Sequence, residues 1–555
     1  MSGLNLLVFR EDRRRASGKE LAVALTAQIE QSCRYCSQRE LLGALLRAGE
    51  LECAIVDSYP EPASSGERLT DNIADALLAS ESASSVYPDL QKPDFQSLLK
   101  AAGALAEFEQ LYISTPEGFA YYALHPLAYA DVIRQIRACD HLLIVGIRSI
   151  GTTLSAVAAA GARARGIVAE RITVRPQGHP YNRTLEFTPE QMAVISKALS
   201  RSASFAVVDE GPGLSGSSFL AVAEALERAG APTEKIILVS AHQPNVDALY
   251  AENAAQRWQR FSCIPVAGEA RRPADTVEFI GGGQWRSRAF ANEFEWPAAW
   301  TSFEKLKYLS STKQDERRFF KFAGLGHYGN AVLERERKVA DAGFGLMPRE
   351  ESDGFISYPF IEGRALFPSD LSAEILAKIA GYCAFRVRAF SIQLSDLAAL
   401  QQMADHNLRE LGLELPGELR LERPVIADGR MQPNEWVLSG DGQLLKTDSG
   451  SHGDDHFFPG ATDIAWDLAG AIVEWQMNEH QTEKFLDHYH RASRDDASAR
   501  IDGFIKAYAV FRLAYCLMAA NAMAGSDEQA RLQSAAATYQ AVFTRMQTQI
   551  LSAAV

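Results

Sequence analysis

Cysteine is scarce in this chain, 7 in 555 residues, scattered and odd in number, which argues against a disulfide framework. Cys33 and Cys36 are the one close pair, and without a second pair of ligands they read as ordinary helical cysteines before they read as a zinc site. Positive charge is also in deficit. Against 70 Asp and Glu there are 56 Lys and Arg, a formal net charge of −14, so no general basic surface favours nucleic acid or anionic lipid and any anion site must be local. Long uncharged apolar runs are wanting too: Leu4 to Phe9 is too short for a signal-peptide core, and the Ala-rich run after Ser149 is broken by Arg163 and Arg165. The expectation is a cytoplasmic protein with no membrane span and no nucleic-acid partner.

What is present is the composition of a folded chain, 47% hydrophobic and 23% charged, in a length that exceeds one ordinary core. No fixed-period repeat is visible, which excludes a solenoid. Residues 1–110 read as a helical amino-terminal segment. Leu41, Leu42, Leu45 and Leu46 follow helical spacing, Leu51 to Val56 either extends that helix or turns into a strand, and Pro60 to Asp94, rich in Ser, Pro, Glu and Asp, reads as a flexible surface segment with Ala-rich helical material in its middle.

From His141 the pattern becomes regular. Apolar runs at Leu142–Ile147, Arg171–Arg175, Phe205–Val208, Lys235–Ser240 and Phe261–Val266 alternate with helical stretches at Thr152–Arg165, from Pro189, and at Ser217–Ala229. Strands alternating with helices predict an α/β domain, residues 111–272, with a parallel sheet covered on both faces. Ligands collect at the carboxyl ends of such strands, where loops lead into helix amino termini. After Val208 come Asp209 and Glu210, carboxylates suited to a sugar's vicinal hydroxyls. Then Gly211, Gly213 and Gly216 allow a tight loop whose N–H groups, with the hydroxyls of Ser215, Ser217 and Ser218, can surround a phosphate.

That order resembles the ribose-5-phosphate loop of the type I phosphoribosyltransferases, with Glu210 where a second aspartate is common. Upstream, Gly146-Ile147-Arg148-Ser149-Ile150-Gly151-Thr152 resembles the same family's diphosphate loop, with Arg148, Ser149 and Thr152 as the cradle. Arg175 to Arg183 lies where the family has a mobile flap, and Arg175, His179, Tyr181 and Arg183 are its candidates for closing on diphosphate, against the simpler reading of an exposed basic hairpin. The resemblance implies transfer or reverse cleavage at the ribose anomeric carbon, with phosphoribosyl diphosphate or a nucleotide-like small molecule as ligand and Mg2+ on the diphosphate. Asp209 and Glu210 would be catalytic.

Past Arg271-Arg272-Pro273 the character changes. Phe279 to Phe290 reads as strand, glycine turn (Gly281, Gly282, Gly283) and strand. Arg317 to Phe322 reads as a strand carrying Lys321, and a helix near Leu333 to Ala342 carries Glu334 and Glu336. With Gly354–Gly363, Leu444–Asp448 and Asp463-Ile-Ala-Trp-Asp467-Leu-Ala, residues 273–555 resemble the aminoglycoside and choline kinase-like phosphotransferases, a bilobal α+β fold with a helical carboxyl-terminal lobe. The resemblance implies ATP as co-substrate, an ion pair between Lys321 and Glu336, and Asp448 as a magnesium ligand. The catalytic loop departs from the family's His-Gly-Asp-x-x-x-x-Asn. Ungapped, Arg430 falls at the base and Glu435 at the metal ligand; shifted, Asp428 serves as base and Asn434 as ligand. The run Ser449 to His456 is dense in metal-capable side chains, a solvated loop or an extra metal site. Two readings result: a bifunctional enzyme, or a phosphoribosyl-ligand sensor with a pseudokinase-like interaction domain. A homodimer is compatible with either.

Overall fold

The computed structural model describes all residues except 1–3, 11–12, 36, 60–63, 82–93, 137–138, 267–270, 275, 311–316, 454 and 554–555, and leaves aside the side chains of 64–67, 81 and 547–553. Cys36 and Asp454, part of the expected cysteine pair and of the His/Asp-rich run, lie outside the described residues, as does much of the Pro60–Asp94 segment. The chain divides into two compact units. The first is Asp12–Arg272 with Gly324–Tyr328; the second is Met1–Glu11, Pro273–Ala323 and Gly329–Val555.

In the first unit, strand β1 (Arg13–Ala16) pairs antiparallel with β2 (Leu111–Ser114), and helices α1 (Gly18–Tyr35), α2 (Gln38–Ser58), α3 (Ser64–Glu81) and α4 (Phe95–Ala104) lie between them in sequence. Residues 12–110 are thus part of the same unit as the sheet rather than a preface to it. The Leu51–Val56 stretch continues α2, whose amino end is capped by the Ser37 side chain accepting from Glu40 N. Within the segment expected to be a flexible surface, α3 buries Leu69, Ile73, Leu77 and Leu78.

The α/β expectation is met by a five-stranded parallel sheet of β3 (His141–Ile147), β4 (Val168–Val174), β7 (Ser204–Val208), β8 (Ile236–Ser240) and β9 (Ser262–Pro265), in the order β4-β3-β7-β8-β9. A small hairpin, β5 (Gln177–His179) and β6 (Asn182–Thr184), follows β4. Alternate residues use both faces of the sheet. Leu143, Val145, Phe205, Val207 and Leu238 join one apolar cluster with Phe219, Leu220 and Leu226 of α7 (Ser217–Arg228) and with Ile195 of α6 (Pro189–Ser200). The opposite face meets α5 (Ile150–Arg163), whose alanines permit close approach: a Cβ on Gly146 would stand 2.3 Å from Ser155 Oγ.

The amino-terminal helices attach to this sheet through charge as well as apolar surface. Arg171 of β4, its side chain 1% exposed, donates to both Glu52 carboxylate oxygens of α2 (2.8 and 3.0 Å) and to Asp71 of α3 (2.8 Å).

In the second unit a five-stranded antiparallel sheet runs β10-β11-β12-β14-β13, made of β10 (Thr276–Phe279), β11 (Lys307–Ser310), β12 (Arg318–Phe322), β13 (Arg349–Glu350) and β14 (Phe355–Pro359). Helix α8 (His327–Asp341) follows β12. Then come β15 (Gly363–Ala365), α9 (Ala373–Ala389), β16 (Pro424–Ile426), β17 (Trp436–Ser439), β18 (Leu444–Lys446), β19 (Ala461–Asp463), α10 (Ala465–Glu474), α11 (Ile501–Ala522) and α12 (Asp527–Ala553). Trp475, Phe485, Phe504, Tyr508, Phe511 and Tyr515 all pack in its apolar core. Helix α11 is long and apolar enough to cross a membrane by length and composition, with a mean hydropathy of 1.3 over a window 72% buried inside the protein, but its run is not uncharged. Its Arg512 is inside as well, beside Glu474 at 3.4 Å.

The first described residues complete this unit. Leu6 and Val8 are buried in its core, Leu7 exchanges two hydrogen bonds of 2.7 Å with the Asn407 side chain, and Phe458 N donates to Val8 O at 3.1 Å. Phe9 bridges Phe457, and Arg10 N donates to His456 O at 3.0 Å.

Glu52→Ala removes the two-pronged partner of a buried arginine and is expected to cost the first unit about 3 kcal/mol, read as a shifted urea transition by circular dichroism. A loss below about 1 kcal/mol would mean that Asp71 alone satisfies Arg171.

Candidate functional site

Strands β3 and β7 are neighbours, with Gly146 opposite Val208, so the loops beyond their carboxyl ends are brought together. The main chain after β7 is fixed on two sides: Asp209 N donates to Val239 O (3.3 Å), the Tyr129 hydroxyl donates to Asp209 O (2.9 Å), and Ala241 N donates to Glu210 O (3.0 Å). Gly151, in the neighbouring loop, has no room for a side chain, since a Cβ would lie 2.7 Å from Val208 O.

Neither the Asp209 nor the Glu210 carboxylate has an ion-pair partner among the described residues, and burial penalises the charged form of each. Asp209 is pushed up to about 7, and Glu210 to about 8 by burial and by the charges of Asp209 and Glu117. Gly118 makes space for Glu210: a Cβ there would fall 2.8 Å from its Oε1.

The phosphate-type loop is built as its glycines suggest, with Gly213 and Gly216 at φ +61° and +69° and Gly211 and Ser218 at its two ends. Its hydroxyls, however, are engaged. Ser215 and Ser217 donate to the carbonyl of Pro180, at 2.8 and 2.6 Å. Pro180 is the turn of the β5–β6 hairpin, the segment expected as flap or exposed hairpin. That hairpin is exposed, and at its turn His179 Nδ1 accepts from Tyr181 N (3.2 Å) while Arg183 donates to Pro176 O (3.1 Å).

Arg148, expected as a fork on diphosphate, and Arg175, expected to close on it from the flap, meet one protein carboxylate. Asp57, near the end of α2, takes both: Arg148 Nε donates to its Oδ1 at 2.8 Å and Arg175 Nε to the same oxygen at 2.9 Å. A carboxylate 91 and 118 positions away has settled where the sequence expected an anionic ligand. Ser149 sits at φ +120°, ψ −113°, a conformation costing a residue with a side chain roughly 1–3 kcal/mol. The chain around it is held by Arg148 N donating to Val174 O at 2.7 Å. Thr152 is fully buried and its Oγ1 has no hydrogen-bond partner.

The second unit gathers a different set. Lys321 of β12 donates to Asp448 and, at 2.8 Å, to Ser451 Oγ. The expected Lys321–Glu336 pair is therefore not formed. Glu336 of α8 instead accepts from Ser449 Oγ (2.8 Å) and Gly450 N (2.7 Å), anchoring the loop after Asp448. The glycine turn also departs from expectation. Gly281, Gly282 and Gly283 lead into a helical turn, Arg286–Ala289, in place of a second strand, because Gly283 N and Trp285 Nε1 donate to Glu304 and the buried Arg286 pairs with Glu528 at 2.9 Å.

The shifted catalytic-loop reading puts Asp428 at the base and Asn434 at the metal ligand. Asp428 is fully buried, accepts from the Tyr382 hydroxyl, and lies 3.4 Å from Lys446 Nζ and 3.7 Å from Arg386 NH1. Asn434, with Gln432, Phe290, Phe367 and Tyr539, lines a cleft of about 220 Å³. Asp467 accepts from the N–H groups of both Asp428 (2.8 Å) and Gly429 (2.9 Å), and Glu435 accepts from Lys446 at 2.8 Å. Among the described residues no group of three or more His, Cys, Asp or Glu could hold a metal; Asp454 of the Ser449–His456 run lies outside them. His452, 3.1 Å from Asp448 and 3.5 Å from Asp455, is pushed down to about 4 by burial.

No family model matches this chain, and no curated protein does. Solved structures similar to part of it include a choline kinase from Streptococcus pneumoniae, 16% identical over 42% of this chain and 89% of that one, with a TM-score of 0.27. A choline/ethanolamine kinase family protein from Mesorhizobium loti is 15% identical over 43% and 84%, TM-score 0.30. An aminoglycoside phosphotransferase from Alicyclobacillus acidocaldarius is 13% identical over 52% and 97%, TM-score 0.31. Likeness at these values assigns neither substrate nor activity.

The geometry generates two expectations. Unfolded carboxyls ionise near pH 4, whereas folded Asp209 and Glu210 hold their protons to about 7 and 8. The folded state therefore binds more protons across that window, and its stability falls as pH rises from about 4 through 8. Combining Asp209→Asn with Glu210→Gln should flatten this fall, leaving the variant with the higher Tm near pH 9 in thermal melts; parallel profiles for the two proteins would contradict the buried-carboxyl geometry. Separately, Asp428→Ala should destabilise the second unit by about 3 kcal/mol in denaturant titration, because Arg386 and Lys446 lose a buried counter-charge; a base exposed to substrate would be lost at little cost in stability.

Proposed function

We propose that the first unit binds a ribosyl 5-phosphate ligand and works at its anomeric carbon, transferring the phosphoribosyl group or cleaving a nucleotide-like metabolite. The observation that carries this reading is the pairing, at adjacent strand ends, of the Asp209-Glu210 acids with the Gly/Ser loop leading into α7 and with the Arg148–Thr152 loop. Ionised, Asp209 and Glu210 accept hydrogen bonds from the ribose hydroxyls and favour positive charge developing on the sugar. The 211–218 loop takes the 5-phosphate once Ser215 and Ser217 leave the Pro180 carbonyl. Mg2+ fits the hard carboxylate oxygens of Asp209 and Glu210, neither of which is in an ion pair among the described residues; bound, it would offset negative charge on the ligand's phosphate.

For the second unit the reading is a kinase-like module that binds a nucleotide triphosphate such as ATP. Its support is the β10-β11-β12-β14-β13 order together with Lys321 and Asp448 in one ion pair. Asp448 and Glu435 supply the oxygens that would hold Mg2+ there. The enclosure of Asp428 and the presence of Arg430, which cannot accept a proton at neutral pH, favour a nucleotide-binding module over an active kinase, and hence a sensor or regulatory role for this half.

Cleavage of a nucleoside 5′-monophosphate at its anomeric carbon, followed as ribose 5-phosphate release, is expected to fall by about a hundredfold or more when Asp209→Asn and Glu210→Gln are combined. Unchanged turnover would sink the assignment of the first unit. For the second, ATP with Mg2+ should raise the Tm of the wild type and not of Asp448→Asn, and an equal rise in both would remove Asp448 from the nucleotide site.

A further inference from the structure

Four carboxylates of α2 and α3 are committed to arginines of the first unit: Glu52 and Asp71 to Arg171, Asp75 to Arg163, and Asp57 to Arg148 and Arg175. Arg171 is sealed, its side chain 1% exposed, and its partners do structural work. Asp57 differs in place. Its two arginines stand at the carboxyl ends of β3 and β4, where a parallel sheet receives ligands, and Arg175 keeps 38% of its side chain open to solvent. One carboxylate oxygen collects both Nε donors, at 2.8 and 2.9 Å. Cys53 closes the group, accepting from Arg175 at 3.3 Å; its thiol, pushed up to about 11 by burial and by Asp57, stays protonated and adds no charge.

Two guanidiniums share one carboxylate at this strand end, and the charge of Arg175 is also felt by Asp209. A diphosphate arriving here carries several negative charges and needs the same Nε donors. It would either face Asp57 as a like charge across hydrogen-bonding distance or displace it and leave a carboxylate, itself 15% exposed, without its partners. A neutral group meets neither penalty and a singly charged one far less of each than a diphosphate; in the same loop the Thr152 hydroxyl is buried without a hydrogen-bond partner.

We propose that Asp57 is a specificity-determining residue that reserves the Arg148–Arg175 end for a neutral or singly charged group, so that the ligand is a nucleotide-like ribosyl 5-phosphate rather than phosphoribosyl diphosphate. This rests on the phosphoribosyl reading of the 209–218 loop. It assigns that loop's ligand an anomeric substituent such as a heterocyclic base.

The test is calorimetric titration of the full chain, wild type, Asp57→Asn and Asp57→Glu, with inorganic diphosphate and with ribose 5-phosphate. Asp57→Asn should bind diphosphate about tenfold tighter than wild type, Asp57→Glu should stay as weak as wild type, and ribose 5-phosphate affinity should move less than about twofold in either. Diphosphate affinity that is unchanged or lower in Asp57→Asn, with ribose 5-phosphate still bound, overturns the role of Asp57 and leaves the phosphoribosyl reading standing. Absence of ribose 5-phosphate binding in all three proteins overturns that reading itself.

Discussion

A charge taken out of water has to meet its opposite, and much of this protein is arranged around that requirement. In the first unit the arginines of the parallel sheet are satisfied by acids from helices that precede it by about a hundred positions, as Arg171 is by Glu52. In the second unit Asp428, Asp467, Arg386 and Lys446 form a buried set with the Tyr382 hydroxyl at its centre, and Arg500 binds Asp463 and Asp495. Such sets add little net stability compared with apolar packing of the same volume. Their effect is positional, since each member can be moved only at the cost of stranding another.

That rigidity explains why two carboxylates stand out by lacking it. Asp209 and Glu210 are held by backbone hydrogen bonds, by glycines at 118 and 151 that leave them space, and by no ion pair among the described residues. Holding acidic groups near their titration point in a fixed place is characteristic of sites that exchange protons or bind cations and hydroxyls. The Lys321–Asp448 pair is the reverse case, two charges already matched, with the adjoining loop tied down through Glu336.

The parallel sheet was legible from sequence because its strands are short apolar runs buried on both faces, and the helices between them announce themselves by alanine content and turn residues. The Asp209 to Ser218 loop was legible because all its parts are contiguous. Asp57 was not: nothing around the end of α2 marks it, and its meaning depends on Arg148 and Arg175, 91 and 118 residues on. The Pro180 carbonyl was invisible for a related reason, since a backbone atom has no letter of its own. The glycine turn at 281–283 misled because its conformation is decided by Glu304 and Glu528, far along the chain, and the spacing around Asp428 stayed ambiguous until Asp467 was seen to grip the N–H groups of Asp428 and Gly429.

The apolar stretch that pairs with Phe457 and Asn407 is synthesised about 400 residues ahead of its partners. At roughly 5–20 residues per second that is a wait of roughly 20 to 80 seconds, during which the first unit can fold while Leu6, Val8 and Phe9 remain without cover. The second unit cannot close in the order it is synthesised. It folds as a discontinuous body, late and around a long loop closure.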